Sequence, residues 1–257
     1  MNDRVVLVTG GANGLGRDIA LVMGGKGWRV ALADMDEAGG RAVAKEIESA
    51  GGTARFYPVD LATPEGAREM VAWAVEQFGR LDVLINNAAL MVVEEFGQMT
   101  AEAWERMLAV NVRAVALAMS AAGEVMKRQG SGRIVNITSP ASRFGHRLQA
   151  CYMATKAAVD SLTRSGSVAL APHGIPVNSV APGMMDTDMH RALERDMMAA
   201  DGIEDFQAFH DERTARIPLG RRAEVREVTE AVVWLATEAP AYITAERLNV
   251  SGGFDKD

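Results

Sequence analysis

Apolar, β-branched runs alternate along this chain with longer stretches in which apolar residues recur at helical spacing. VVLVTG (5–10), RVALAD (29–34), ARFYPVD (54–60), LDVLINNA (81–88), GRIVNITS (132–139) and IPVNSVAPG (175–183) read as buried strands. RLNVSGG (247–253) adds a seventh near the end. Between them, 15–26, 37–50, 64–78, 101–129, 151–171 and 223–238 carry the spacing of helices. Strand alternating with helix predicts an α/β protein whose parallel sheet is covered on both faces. Right-handed crossovers then give a single doubly wound Rossmann-type domain over 1–257, with seven parallel strands. No repeat, low-complexity tract or linker divides it.

One segment breaks the alternation. Residues 184–222, MMDTDMHRALERDMMAADGIEDFQAFHDERTARIPLGRR, are too many and too polar for a simple connection. They follow the carboxyl end of a strand, where open α/β sheets bind ligands, so the segment reads as a substrate lid. A surface helical hairpin is the alternative.

Composition narrows the picture without redirecting it. The 257 residues are 48% hydrophobic and 24% charged, with formal net charge −7 and the acids scattered. That balance disfavours nucleic acid or an anionic membrane as partner, because both reward a clustered basic face. The opening MNDRVVLVTGG holds an apolar run of only four residues, Val5 to Val8, too short for a signal peptide. No run approaches the roughly 18 consecutive apolar residues of a membrane span, and a cytoplasmic location is expected. Cys151 stands alone, so no internal disulfide is available; a buried filler role and a reactive thiol both remain open. No metal is expected.

Candidate chemistry lies at two places. VVLVTGGANGLGRDIA sets Gly10, Gly14 and Gly16, with Asn13 and Leu15 among them, after the first strand and at the mouth of a helix. Glycines there let backbone amides approach a pyrophosphate, which the helix N-terminus also favours. The second strand ends at Asp34, whose carboxylate can accept from adenosine ribose hydroxyls and repels a 2′-phosphate. Asn13 adds no cation for that phosphate, so NAD is favoured over NADP. Further on, Tyr152 stands thirteen residues after Ser139 and four before Lys156. Residues four apart share a helix face, and an ammonium beside a phenol should lower its pKa from near 10 towards the working range of a base.

The sequence resembles the short-chain dehydrogenase/reductase family over nearly its whole length. The resemblance rests on TGGANGLG (9–16), Asp60, NNAA (86–89), Asn111 in LAVNV, Ser139, YMATK (152–156), PGMMDT (182–187) and the terminal NVSGG. It implies that Tyr152 is the general acid/base and that Lys156 lowers its pKa while binding the nicotinamide ribose. Ser139 would orient the substrate oxygen, and Asn111 would sustain a water-linked proton relay to Lys156. Asp60 and Leu61 would bracket the adenine, Asn86 would contact the adenosine side, and Met185 and Thr187 would touch the nicotinamide carboxamide. A homotetramer is implied, built through helices matching 101–129 and 151–171. For Asn111 a local structural role stays open, Asp60 could merely cap the next turn, and Asn86 and Asn87 could serve as sheet-end hydrogen bonders.

Substrate is less legible. NNAAL and AYITAERLNVSGG resemble the polyol and sugar dehydrogenase branch. Arg143, His146 and Arg147, between Ser139 and Tyr152, and His190, Arg191, Arg195, His210, Arg213 and Arg216 in the lid suit a hydroxylated or anionic small molecule better than a long acyl chain, with one or two of them expected in the pocket. Three activities compete: NAD-dependent oxidation of a polyol, sugar or hydroxy acid; NADPH-dependent reduction of a ketone or 3-oxoacyl group; and non-catalytic NAD binding. The complete Asn111, Ser139, Tyr152, Lys156 set argues against the last.

Overall fold

A computed structural model describes residues 3–255. β1 (Val5–Thr9), α1 (Gly14–Gly25), β2 (Arg29–Asp34), α2 (Glu37–Ser49), β3 (Thr53–Pro58), α3 (Gly66–Phe78) and β4 (Val83–Asn86) make the first half. The second half runs through α4 (Ala101–Leu108), α5 (Ala114–Gln129), β5 (Arg133–Ile137), α6 (Ala150–Leu170) and β6 (Val177–Pro182). It ends with α7 (Asp188–Asp201), α8 (Phe206–Ala215), α9 (Val225–Thr237) and β7 (Arg247–Val250). Among the described residues the strands form one sheet in the order β3-β2-β1-β4-β5-β6-β7, every pairing parallel.

Side chains of alternate parity on β1 feed two separate cores, as strand geometry requires. Val6 and Val8 join Val30, Leu32, Ile19 and Val232 on the face covered by α1, α2 and α9. Val5 and Leu7 join Leu84, Ile134, Ala118 and Val159 on the face covered by α3, α5 and α6. All five residues of β1 are buried, which explains why the strand is apolar throughout. Chain order reverses between β1 and β4, so the connections after these strands part and open a cleft at their carboxyl ends.

Several strands end earlier than their apolar runs. β4 stops at Asn86 because the next two residues turn to grip β1: Asn87 N and Ala88 N donate to Thr9 Oγ1 at 2.9 and 3.0 Å. β3 stops at Pro58, leaving Asp60 in the following loop. The helix expected over 101–129 is continuous but contains a π turn, Ala109–Arg113, around Asn111. By length and composition Ala101–Gln129 could cross a membrane; here 44% of its most apolar window is buried, and its apolar residues pack as a core helix against α3 and α6. Residues 184–222 fold as α7 and α8, so lid and helical hairpin describe the same segment. Leu193 and Met197 of α7 pack with Leu148 and Phe209 in a small third core.

Candidate active site

The cleft has a volume of about 680 Å³ and runs from the glycine loop, across β4 and β5, to the lid. At its first end Gly10 and Gly14 adopt φ of +65° and +52°, a region in which side chains are strained. A Cβ on Gly14 would meet nothing within 4 Å, so the backbone there is open to close approach by a ligand. Asn13 precedes α1 without a side-chain cap, leaving the first-turn amides of that helix to other acceptors. Gly16 serves packing instead. Its Cβ would lie 2.0 Å from Gly10 O, and it does not line the cleft.

Asp34 closes this end. Its Oδ2 accepts from Ala12 N at 3.0 Å and its Oδ1 from Asp36 N at 3.0 Å, so the carboxylate is fixed beside the glycine loop. Asn13 Nδ2 donates to Asp36 Oδ2 at 3.0 Å, which adds a second acid. Cations lining the cleft are Arg106 on α4, Lys156 on α6, and Arg213 and Arg216 of the lid; none comes from the β1–β3 region. Asp60 and Leu61 also line it, with Asp60 Oδ1 accepting from Ala62 N at 2.8 Å as a turn cap. These residues fit a dinucleotide: open glycine backbone and uncapped amides for phosphates, and a fixed carboxylate for ribose hydroxyls.

Asn86 takes the sheet-end hydrogen-bonding role and not a place on the cleft. Its side chain turns into the sheet–helix core, where Nδ2 donates to Asn136 Oδ1 at 2.8 Å, and Asn136 Nδ2 donates on to Thr163 Oγ1 at 2.9 Å. The pleat puts its neighbour Asn87 on the cleft, with Nδ2 donating to Thr9 O and Gly10 O at 2.9 and 3.1 Å. The doublet alone does not say which asparagine faces which way; the register does.

At the other end Ser139, Tyr152 and Lys156 line the cleft together. Ser139 stands just beyond β5, and its carbonyl accepts from Arg247 Nη2 at 2.9 Å. Arg247 also lies 2.7 Å from Asp255 and 3.4 Å from Asp160, so a buried ion cluster backs the serine. Lys156 is 3% exposed; its Nζ donates to Ile137 O at 2.9 Å and lies 5.6 Å from the Tyr152 ring centre. Burial lowers Lys156 to about 8, opposed by the Asp160 charge one turn along α6. Burial raises Tyr152 to about 12, and its hydrogen bond with Ser139 opposes that only in part. Where a lowered phenol pKa was expected, burial instead moves it upward.

Asn111 does not line the cleft. Its Oδ1 accepts from Leu90 N at 2.7 Å, while Nδ2 donates to Leu90 O at 2.8 Å and Thr155 Oγ1 at 3.1 Å. The side chain thus ties the loop after β4 to the residue preceding Lys156. The π turn widens the helix at that residue, as such turns often do at functional sites. Met185 and Thr187 both line the cleft; Thr187 Oγ1 caps α7 by accepting from His190 N.

The candidate substrate residues separate. His146 lines the cleft, and burial first, then Arg213 and Arg147, holds its imidazole below the usual range. Arg143, Arg147 and His210 do not line it. Arg147 is drawn away by Glu95 and Asp201, strapping the β4 loop to the end of α7. His210 turns into the lid, with Nδ1 2.9 Å from Glu194 Oε2. Of the other lid candidates His190, Arg213 and Arg216 line the cleft and Arg191 and Arg195 do not, while Leu193 and Gln149 join without having been singled out. The lid's position after β6 located this group, but the helical phase that selects its members depends on tertiary packing. Cys151 is buried, with its thiol pushed up to about 11 by burial, a poor nucleophile. Among the described residues no group of three or more His, Cys, Asp or Glu could hold a metal.

One cleft thus joins an end whose residues fit a dinucleotide to an end that gathers a serine, a tyrosine and a lysine. Residues 4–198 match the family model described as short chain dehydrogenase, and the chain belongs to that family. It is 36% identical to a sorbitol dehydrogenase of Cereibacter sphaeroides, covering 98% of each chain. An actinorhodin polyketide ketoreductase solved with NADPH superposes with a TM-score of 0.93 at 33% identity, covering 99% of this chain and 98% of that one. NAD⁺-bound xylitol dehydrogenase superposes with a TM-score of 0.91 at 27% identity, covering 98% of this chain and 99% of that one. Relatives of similar likeness thus carry either nicotinamide cofactor.

Proposed function

We propose that this chain is an NAD-dependent dehydrogenase that oxidises a secondary alcohol on a small polar molecule: a polyol, a sugar or a hydroxy acid. The observation that carries the reading is the fixed Asp34 carboxylate, reinforced by Asp36 in a region that contributes no cation to the cleft. A 2′-phosphate placed there meets like charge with nothing to compensate it. Likeness to the sorbitol and xylitol enzymes supports the polar alcohol. Likeness to the NADPH-bound ketoreductase favours a second reading, reduction of a ketone or 3-oxoacyl group with NADPH, and Asp34 counts against it.

Gly10, Gly14 and Asp34 would hold NAD, which would supply an acceptor for the hydride of the carbinol carbon. Tyr152 takes the hydroxyl proton as that hydride leaves, and Ser139 holds the substrate oxygen by its hydroxyl. Lys156, held by Ile137 O, supports negative charge on the phenol. Asn111 keeps Leu90 and Thr155, and so both sides of the site, in place. The reading includes a homotetramer in the cytoplasm.

Removing only the phenol oxygen tests the mechanism. Tyr152→Phe should lower kcat by about 10²–10⁴-fold, the usual contribution of a general acid–base group. NAD binding, followed by protein fluorescence quenching, should persist. A variant that keeps half the wild-type rate removes Tyr152 from the chemistry.

A further inference from the structure

The lid buries an ion cluster whose charges do not cancel. Glu194 of α7 is wholly buried and faces Arg222 Nη2 at 2.5 Å, His210 Nδ1 at 2.9 Å and Arg213 Nε at 3.0 Å. Two guanidiniums oppose one carboxylate, so the cluster keeps a positive charge even with His210 neutral. Other nearby carboxylates are already engaged. Asp186 accepts two 2.8 Å bonds from Arg191, and Asp188 adds its charge beside the same arginine. Glu212 holds Arg216, and Asp201 holds Arg147. His146 and His190 contribute no compensating anion, and burial first, then Arg222 and Arg213, lowers His190 to about 4.

Of the two guanidiniums, only Arg213 lines the cleft. Arg222 is locked inside the lid, with Nε donating to Thr214 Oγ1 at 2.9 Å and Nη2 donating also to His210 O at 3.3 Å. Arg213 instead points Nη1 at Met197 Sδ, 3.1 Å away, and Nη2 at Met184 Sδ, 3.8 Å away, while its guanidinium lies over the Phe209 ring. Thioether sulfurs are weak acceptors, so the outer fork of a largely desolvated cation lacks a strong partner. Burying an unbalanced charge is costly, and an incoming anion would relieve that cost. Arg213 lines the same cleft as Ser139 and Tyr152, within electrostatic reach of His146 in the loop between them.

We propose that Arg213 binds a carboxylate of the substrate, so that the alcohol oxidised is a small hydroxy acid. This rests on the dehydrogenase reading and narrows it to one of its three substrate classes. A planar fork suits bidentate capture of a carboxylate. One surplus positive charge matches a monoanion rather than a phosphate dianion. Leu193, Met91 and Phe144 offer apolar wall for the carbon skeleton.

The test compares acids with their own methyl esters, using 3-hydroxybutyrate and 4-hydroxycyclohexanecarboxylate as probes with NAD. On the better pair, kcat/KM for the acid should exceed that for the ester by about 10- to 100-fold, the range of a charge-assisted hydrogen bond. Arg213→Met should collapse that ratio, and Arg213→Lys should restore part of it. A second readout needs no turnover: calorimetric titration of cyclohexanecarboxylate into the enzyme–NAD mixture should show binding that Arg213→Met abolishes. Should Arg213→Met fail to fold, the wild-type acid-to-ester ratio decides alone. Esters or neutral polyols outrunning the acids, or an unchanged ratio and unchanged titration in Arg213→Met, would overturn the proposal. If no alcohol of either class reduces NAD, the dehydrogenase reading falls, and the titration still decides whether Arg213 holds a carboxylate.

Discussion

At Tyr152 and Lys156 burial favours the uncharged form of both groups, and the pH dependence follows from that. Lys156 is lowered to about 8 and Tyr152 raised to about 12, so the first proton leaves the pair near 8. Alcohol oxidation draws on the singly deprotonated pair, through the tautomer in which the phenol rather than the ammonium has given up the proton; that pair is scarce below that pH and dominant above it. Oxidation kcat/KM should therefore climb about tenfold per pH unit towards 8 and then level. Reduction needs the full complement of protons, so it should be complete below 8 and fall above. Initial rates in both directions from about pH 6 to 10 check this; an oxidation rate already flat across the acidic half contradicts it. The Ser139–Tyr152–Lys156 spacing was legible in the sequence because strand end and helix face are local patterns. The direction of the tyrosine shift was not, since desolvation depends on what the lid, α6 and β5 jointly cover. Arg213 was legible as one of six His and Arg candidates in the lid, but which of them face the cleft depends on packing around Glu194 and two methionines.

The segment α4–α5 illustrates what an element adds. Helical spacing over 101–129 gave its length, but the π turn at Ala109–Arg113 shows no periodic signature, because a single inserted residue shifts the phase only locally. Its consequence is the position of Asn111, whose side chain satisfies Leu90 N, Leu90 O and Thr155 Oγ1. Asn111→Ala leaves those groups without that partner, at a cost of about 1–3 kcal/mol for a buried group so stranded. Denaturant unfolding should show a loss of that size. Turnover should also fall, because Leu90 lines the cleft and Thr155 precedes Lys156. Unchanged stability together with unchanged kcat would show that the tie does not hold the site. Strand ends were read two residues too long at β3 and β4 for a related reason. The apolar runs continue, but Asn87 and Ala88 leave the ladder to bind Thr9.

Across the whole molecule, alternation of runs and helices was enough to give the parallel doubly wound sheet, and the resemblance placed its cleft. Which residues enter that cleft depended on facts that alternation does not contain. The pleat sends Asn86 inward and Asn87 outward, and Glu95 and Asp201 pull Arg147 off the substrate side. On the proposed function, the topology would separate two jobs along one sheet edge: cofactor selection through Asp34 at the end by β2, and the alcohol's proton at the end by β5 and α6. Both jobs are read at once by following nicotinamide reduction with NAD and NADP side by side over a panel of polyols, aldoses and hydroxy acids. The account predicts a rate with at least one polar secondary alcohol, with kcat/KM for NAD exceeding that for NADP by at least about 10-fold, the value of one lost charge-assisted contact. Equal use of the two cofactors, or turnover only of ketones or 3-oxoacyl thioesters with NADPH, would contradict it.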